Sequence, residues 1–216
     1  MSNYDKMLAQ AQALFLEYDQ DDIIRRWGLD HDGDFLYAEY MTEALRIDRR
    51  TGAVGYARQP GPGEYRAEGF VNEGMALFDL LTRSPVRPHP TGRWSSISTL
   101  GGIIGAGHDR TLSHEGTAAR FQGRCDALAA ACRRLGGVPD GRGDVSYAIP
   151  VFRDFRILFQ FWDGDDEFPA NIKYLFDENA LQYMHYETLW YVMGALADRL
   201  AWYANRADLA DLESPS

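Results

Sequence analysis

The chain has 216 residues, an apolar fraction of 45% and a formal net charge of −10. This length is sufficient to bury one full hydrophobic core, so it predicts one domain with at most a small appendage. The acidic excess argues against nucleic-acid and anionic-membrane binding, because both need a positive protein surface. No stretch approaches the roughly 18 apolar residues that span a bilayer, and the first residues do not have the form of a secretion signal. We therefore expect a cytoplasmic, acidic protein that does not bind membranes.

The first half of the chain predicts helices that flank a group of strands. Helices are indicated by apolar residues at steps of three and four, and strands by alternating or aromatic-rich runs. The short second helix is expected to have Asp21 as its N-cap and to end at Gly28. The predictions are helices over residues 4–18, 21–28 and 70–81, and strands over residues 35–40, 44–48 and 53–57.

The second half begins with a long segment from Arg83 to Asp109, which is rich in proline and glycine and predicts an irregular loop. Loops of this length inside compact domains are usually functional or mobile. Trp94 indicates that part of this loop packs against the protein. Beyond it, apolar spacing predicts one continuous helix from Ala118 to Leu135. Three apolar strands and a long helix follow, over residues 145–152, 156–162, 171–176 and 189–203.

Together these elements predict an α+β fold in a single domain over residues 1–206. Its mostly antiparallel sheet is expected to combine the strands of residues 35–57 with those of residues 145–176, covered by three or four amphipathic helices. The segregation of strands and helices along the chain favours this class over alternating βαβ units. Residues 207–216 are acidic and small, and they predict a flexible tail.

The cysteines and partial motifs point to no catalytic chemistry. Cys125 and Cys132 are seven residues apart in a helical pattern, or about 10.5 Å along the axis, which is too far for a disulfide. Both lie on an apolar face, where burial raises a thiol pKa and lowers reactivity. His114-Glu115 begins like a helical zinc motif, but Ala118 stands where the second histidine is required. The sequence therefore identifies no catalytic residue, no metal ligand and no cofactor.

The acidic turn, defined here as Asp163 to Glu167, is the best candidate for a site. Four of its residues carry carboxylates, and they follow directly on an apolar strand. Carboxylates this close repel one another, so one should have a raised pKa unless a cation or an arginine neutralises them. The turn suits a divalent cation, acid–base chemistry or a basic partner. The sequence nevertheless favours a solvated β-turn, whose Asp and Gly residues make the bend and which Phe168 and Pro169 pin to the core.

Two functional hypotheses follow from these residues. The first is a non-catalytic binding or accessory protein that contacts an unidentified protein partner or small ligand through the acidic turn and the long loop. The alternative is a small enzyme, a hydrolase or transferase, that uses Asp165 and Glu167 as acid and base. The candidate ligand- or partner-binding residues are Trp162, Asp163, Asp165, Asp166, Glu167, Trp94 and His108.

The C-terminal part of the chain resembles a domain-of-unknown-function family, number 3786, of bacteria and archaea. The resemblance covers about residues 144–200 and rests on Gly143-Asp144, Pro150, Trp162, Gly164-Asp165, Glu167-Phe168-Pro169, Leu175-Phe176-Asp177, Tyr183 and Glu187. No activity is assigned to that family. Some members look as if they carry an added iron–sulfur domain in anaerobes with corrinoid or one-carbon metabolism, so the resemblance implies a link to such redox metabolism. This chain has no cysteine cluster, so we do not expect it to transfer electrons itself; at most it serves a redox partner.

Overall fold

The computed structural model describes the backbone of residues 3–102 and 114–210, and the side chains of residues 5–100 and 116–206. Within these ranges there are seven α-helices and nine strands, so the predicted α+β class is confirmed. The helices are α1 (Asn3–Phe15), α2 (Gln20–Trp27), α3 (Val71–Thr82), α4 (His114–Ala119), α5 (Cys125–Arg134), α6 (Ala180–Tyr183) and α7 (Tyr186–Ala210). The strands are β1 (Asp30–His31), β2 (Phe35–Tyr40), β3 (Glu43–Asp48), β4 (Val54–Tyr56), β5 (Trp94–Ser96), β6 (Val138–Pro139), β7 (Val145–Phe152), β8 (Phe155–Trp162) and β9 (Asn171–Asp177).

The chain divides into two compact units. The first comprises Met1–His89 and Leu181–Ala195, and the second comprises Pro90–Ala180 and Leu196–Ser216. Each unit has its own antiparallel sheet, in the order β1-β2-β3-β4 and β5-β9-β8-β7-β6. The prediction of one combined sheet is wrong, since no strand pair among the described residues joins the two groups. The physical reason is mostly local: apart from β5 with β9, the paired strands follow one another in sequence, and a short connection costs less chain entropy than pairing distant strands.

The first unit contains the hairpin that the sequence predicts. Strands β3 and β4 pair with Ile47 opposite Val54. Their turn is closed by Asp48, whose carboxylate accepts hydrogen bonds from the backbone N–H groups of Arg50 and Thr51 at 2.9 and 2.8 Å. This is the local bonding that makes aspartate common at the start of turns.

The predicted helix at residues 21–28 begins earlier than its sequence signal indicates. Its N-cap is Asp19, not Asp21, because the Asp19 carboxylate accepts hydrogen bonds from the backbone N–H groups of Asp21 and Asp22. The helix α2 ends at Gly28 in a left-handed conformation, as predicted. Asp21 and Asp22, which follow the cap, lie in the first turn, where their negative charges interact favourably with the positive end of the helix dipole.

Helices α1 and α3 pack closely in the same unit. A Cβ atom at Gly74 of α3 would lie only 2.6 Å from Cδ1 of Leu8, so the absence of a side chain permits this approach. Further along, the rings of Phe15 and Phe78 are 5.1 Å apart between centroids. These contacts fix α1 against α3.

The predicted irregular segment from Arg83 to Asp109 contains regular structure, which corrects that part of the prediction. Strand β5 pairs with β9, with Trp94 opposite Asp177. The Asp177 carboxylate also accepts hydrogen bonds from the backbone N–H groups of Thr91 and Gly92 at 3.0 and 2.7 Å. A buried carboxylate thus attaches this proline-rich segment to the sheet, and a 3₁₀ helix follows over Ile97–Gly102.

The predicted continuous helix from Ala118 to Leu135 is interrupted, which is a second correction. Helix α4 ends at Ala119 and α5 begins at Cys125, and between them Gly123 has a φ of +69°. Phe121 in the interruption is fully buried, 6.3 Å from the ring of Phe161. The three- and four-residue spacing of apolar residues therefore continues across the interruption, because Phe121 is buried there as a helical residue would be. This is why the sequence predicts one continuous helix.

The last helix, α7, has 25 residues and reaches Ala210, four positions beyond the predicted domain end. Residues 211–216 lie outside the described range, so the flexible tail stays a prediction. In the part of the chain that the structure describes, no helix combines the length and the apolar character that a membrane crossing requires.

Candidate functional site

The acidic turn joins β8 to β9 in the second unit, and the strand pair fixes both of its ends. Trp162 at the end of β8 pairs with Asn171 at the start of β9. Phe159 and Phe161 of β8 are fully buried, so the strand is anchored in the core. Trp162 itself is half-buried. The turn therefore projects from a rigid base.

Asp163 is used inside the protein. Its carboxylate accepts hydrogen bonds from the backbone N–H groups of Gly123 and Gly164, both at 2.9 Å, and from the Cys125 thiol at 3.5 Å. Its own backbone N–H donates to the carboxylate of Asp144 at 2.7 Å. Asp163 thus bonds to the interruption between α4 and α5. Its role in this geometry is to hold the turn against its own unit.

Asp165 is used by the turn itself. Its carboxylate accepts hydrogen bonds from the backbone N–H groups of Phe168 at 2.7 Å and Glu167 at 2.9 Å. These two bonds lower the pKa of Asp165 below its ordinary value of 3.8. Crowding of carboxylates predicts a shift in the other direction, but bonds to the charged form dominate at this residue. The backbone N–H of Asp165 also donates to the carbonyl of Phe168 at 2.9 Å, which closes the loop.

The tip of the turn, defined as Asp166 to Phe168, consists of the last two residues of the acidic turn and the phenylalanine that follows them, and it faces solvent. Asp166 and Glu167 are exposed, and the Phe168 side chain is 66% exposed. The expectation that Phe168 and Pro169 pin the turn to the core is therefore wrong. The chain returns to the core at Ala170, which is 4% exposed.

The structure does not bring Trp94 to the acidic turn. Trp94 lies opposite Asp177, six residues along β9 from Asn171, and six residues of strand span about 20 Å. Its indole N–H donates to the Asp140 carboxylate at 3.2 Å. The other residue predicted in the long loop, His108, lies outside the described residues.

The two thiols are poor nucleophiles in this structure. Burial and the neighbouring Asp163 carboxylate raise the pKa of Cys125 to about 11, and burial also raises the pKa of Cys132. Both values disfavour the thiolate, which is the reactive form. Among the described side chains, no group of three or more histidine, cysteine, aspartate or glutamate residues is arranged to hold a metal ion.

The first unit contains an open groove that the sequence does not predict. Its volume is about 790 Å³, and it lies between α1, α3 and the beginning of α7. Residues from all three helices line it, among them Asp5, Asn72, Glu187, Trp190, Tyr191 and Gly194. A smaller cleft of about 240 Å³ shares Met7, Glu187 and Tyr191 with it.

The groove residues come from three distant stretches of the chain, so no local pattern brings them together. One signal is nevertheless present in the sequence: Gly194 interrupts a predicted apolar helix, where glycine is unfavourable relative to alanine. A glycine at such a position indicates a turn, a close contact or a space that is left open. At Gly194 it is an open space, because a Cβ atom there would meet no atom closer than 3.7 Å and the residue lines the groove.

Comparison with known protein families supports the resemblance. The model of a family described as Domain of unknown function (DUF3786) matches residues 19–199, which extends the resemblance of residues 144–200 far towards the N-terminus. No curated protein and no solved structure is matched. The matched range includes the acidic turn and the groove residues of α3 and α7, whereas α1 precedes it.

Proposed function

The chain belongs to the DUF3786 family, a domain of unknown function, and we propose that it acts as a non-catalytic binding or accessory protein. Its contact surface for a protein partner is the tip of the acidic turn. The observation that carries this proposal is Phe168, an aromatic side chain that is 66% exposed on a turn closed by its own hydrogen bonds.

The tip has the properties of a preorganised anchor. Three hydrogen bonds between Asp165 and the two residues Glu167 and Phe168 restrict its backbone before any partner arrives. Restricting a loop in advance lowers the entropy cost of binding. Full burial of a phenylalanine side chain gains about 1.5–3 kcal/mol, and aromatic residues are enriched in protein interfaces. Phe168 would therefore supply much of the affinity of a modest interface.

The charges beside Phe168 indicate the chemistry of the partner. Asp166 and Glu167 are exposed on the tip, and the whole chain carries a formal charge of −10. A matching surface has an apolar pocket for the ring and lysine or arginine residues around it. Charges at the rim of an interface mainly increase the association rate, and added salt weakens this effect. The family resemblance makes a redox protein of one-carbon metabolism the first partner to test.

The enzyme alternative gains no support from this geometry. General acid–base residues work in a concave site where a second polar group converges on the substrate. The Asp165 carboxylate is bonded to backbone N–H groups of its own turn, and Glu167 lies exposed on the tip. In this arrangement Asp165 closes the turn and Glu167 suits the contact surface, so the two do not form a catalytic pair.

The proposal is tested by comparing two exposed apolar residues. Phe168→Ala removes the proposed anchor, and Val86→Ala is the matched control because Val86 is 69% exposed in the first unit. Tagged full-length chains are used to capture proteins from the source cells, with quantification by mass spectrometry. We expect one or more proteins that bind the unmodified chain and the Val86→Ala variant equally, and bind Phe168→Ala about tenfold less, a loss of about 1.4 kcal/mol. Capture that is unchanged by Phe168→Ala would show that the turn is not the contact surface.

A charge test separates the anchor from its rim. The double variant Asp166→Asn and Glu167→Gln keeps the shape of the tip and leaves the Asp165 hydrogen bonds in place. We expect weaker capture at low salt and little difference from the unmodified chain at high salt, because salt screens exposed charges. Equal capture at every salt concentration would exclude a basic partner surface.

A further inference from the structure

Gly194 lies in the interior of α7 without an evident structural need for glycine. It is helical in backbone, and an added Cβ atom would meet nothing closer than the Asn72 amide nitrogen, at 3.7 Å. That is an ordinary van der Waals distance, so a side chain is tolerated at its base. Glycine in a helix interior costs about 1 kcal/mol relative to alanine. The missing side chain has one visible effect, which is to leave the groove open.

The open space lies along one face of α7. Glu187, Trp190 and Gly194 follow one another at steps of three and four, which places them on the same side of a helix. Tyr191 lines the same groove and lies next to Trp190 in sequence. The rings of Tyr186 and Trp190 contact edge to face at 6.2 Å between centroids, so Trp190 is held by a neighbour on its own helix. The groove therefore has a fixed aromatic wall that ends in an open space.

The charged side chains that the structure describes along the groove have one sign. Asp5 and Glu187 contribute carboxylates, and Asn72 contributes an amide. Among the described residues that line the groove there is no lysine, arginine or histidine. Carboxylates attract cations directly, and the faces of tryptophan and tyrosine attract them through their electron-rich rings. Both kinds of group thus favour the same class of ligand.

We propose that this groove binds a small organic cation, an ammonium or guanidinium group attached to an apolar or aromatic body. The positive group is placed beside the Glu187 carboxylate, and the body lies against Trp190 and Tyr191, in the space beside Gly194. The volume of about 790 Å³ is within the range of about 300–1,000 Å³ that is usual for small-molecule sites. This site is independent of the acidic turn, so the two proposals stand or fall separately.

The binding test uses 2-phenylethylammonium as the probe and the full chain as the receptor. Its neutral analogue, 2-phenylethanol, has the same aromatic body and no charge. Titration is followed by chemical-shift changes of the indole N–H groups in NMR spectra. We expect saturable binding of the cation and binding of the alcohol that is weaker by roughly fivefold, the scale of one partly exposed charge pair. Equal binding of the two probes would overturn the assignment of a cation site.

A graded series at Gly194 locates the site. Gly194→Ala adds one carbon at a position with space for it, whereas Gly194→Leu extends a side chain into the groove. Alanine and leucine are both better helix formers than glycine, so neither variant should weaken folding by way of the helix. We expect Gly194→Ala to bind the probe nearly as well as the unmodified chain and Gly194→Leu to lose saturable binding, with the thermal unfolding midpoint unchanged or raised in both.

A second variant keeps the test valid if leucine disturbs the packing. Glu187→Gln retains the shape of an exposed side chain and removes its charge. We expect it to weaken binding of the cation by roughly two- to fivefold and to leave binding of the alcohol unchanged. The proposal is overturned if the unmodified chain shows no saturable binding at about 10 mM probe, a limit that corresponds to a negligible affinity, or if Glu187→Gln and Gly194→Leu both bind like the unmodified chain.

Discussion

The acidic turn, which Trp162 and Phe168 flank, and the groove both place carboxylates beside aromatic side chains, but the carboxylates of the two regions have different roles. In the acidic turn, Asp163 and Asp165 accept hydrogen bonds from backbone N–H groups of their own unit. In the groove, the carboxylate of Glu187 borders an open volume that three helices surround. The closely spaced carboxylates of the acidic turn therefore mainly stabilise its backbone. The groove, in contrast, is formed by a few residues from distant segments of the chain.

The glycines of the two regions show the same contrast. Gly143, beside the acidic turn, has a φ of +117°, and an added Cβ atom would lie 2.5 Å from the carbonyl oxygen of Phe161. Gly194 in the groove is helical and has space for a Cβ atom. The backbone conformation requires glycine at position 143, whereas position 194 has space for a larger side chain. This difference can be measured with identical substitutions.

The largest effect is expected for Gly143→Ala. The substitution forces an alanine into a conformation that L-residues rarely adopt and against a backbone carbonyl, so we expect a loss of about 2–4 kcal/mol in the free energy of unfolding. Gly194→Ala is the matched control and should be neutral or stabilising by up to about 1 kcal/mol. Urea denaturation of both variants measures the two changes. Similar losses in the two variants would remove the distinction between a required glycine and a permissive one.

A medium effect is expected for Asp163→Ala. The change leaves the backbone N–H groups of Gly123 and Gly164 without their carboxylate acceptor, and we expect a loss of about 1–2 kcal/mol in stability. Asp166→Ala removes an exposed carboxylate from the same turn and should change stability by less than about 0.5 kcal/mol. Thermal or urea unfolding compares them. If the Asp166 variant lost as much stability as the Asp163 variant, the division between internal and exposed carboxylates would fail.

The smallest effect is a pH dependence at Asp177, a further carboxylate that is used internally. Burial opposes its charge, but hydrogen bonds from Thr91, Asn179 and Gly92 prevail and lower the pKa of Asp177 below its ordinary value of 3.8. The unfolded chain therefore binds this proton at higher pH than the folded chain, so the stabilisation is present above pH 3.8 and is lost as the pH falls through the folded-state pKa. Asp177→Asn should be less stable than the unmodified chain at pH 7 by about 1 kcal/mol.

This prediction is checked by the pH dependence of one quantity, the difference in free energy of unfolding between the unmodified protein and Asp177→Asn. It should narrow as the pH falls below 3.8, because protonation then removes the same charge from the unmodified protein. Urea denaturation at several pH values between 7 and 3 gives both curves. A difference that stays constant or widens in acid would contradict the lowered pKa of Asp177.

Much of the fold is predictable because its signals are local. Strands β7, β8 and β9 have apolar, aromatic runs of strand length with turn residues between them. Gly28 ends α2 where a left-handed cap is expected. The pairing of β5 with β9 and the interruption between α4 and α5 are different, because both depend on partners that are distant in the sequence. The interruption at Gly123 is fixed by Asp163, 40 residues later, and the buried Phe121 conceals it from any pattern of apolar spacing.

The candidate site is predictable only in part, for the same reason. The acidic turn is visible as a run of carboxylates, but the sequence does not show which of them bond to the backbone or that Phe168 faces solvent. The groove requires α1, α3 and α7 to converge, and its residues extend from Asp5 to Gly194. The only local indication of the groove that we identify in the sequence is the glycine at position 194 in an otherwise apolar helix.

The two outer strands of the five-stranded sheet bear on how the protein behaves in concentrated solution. Strand β5 spans only Trp94–Ser96, and β6 spans Val138–Pro139, which includes a residue without an N–H group. These two strands themselves offer a neighbouring molecule few free backbone donors and acceptors, because each pairs over only two or three residues. The very apolar strand β8 is enclosed between β7 and β9 and cannot seed such growth while the fold persists. Exposure of β8 to a neighbouring molecule should therefore require at least local unfolding, even in samples concentrated enough for crystallisation.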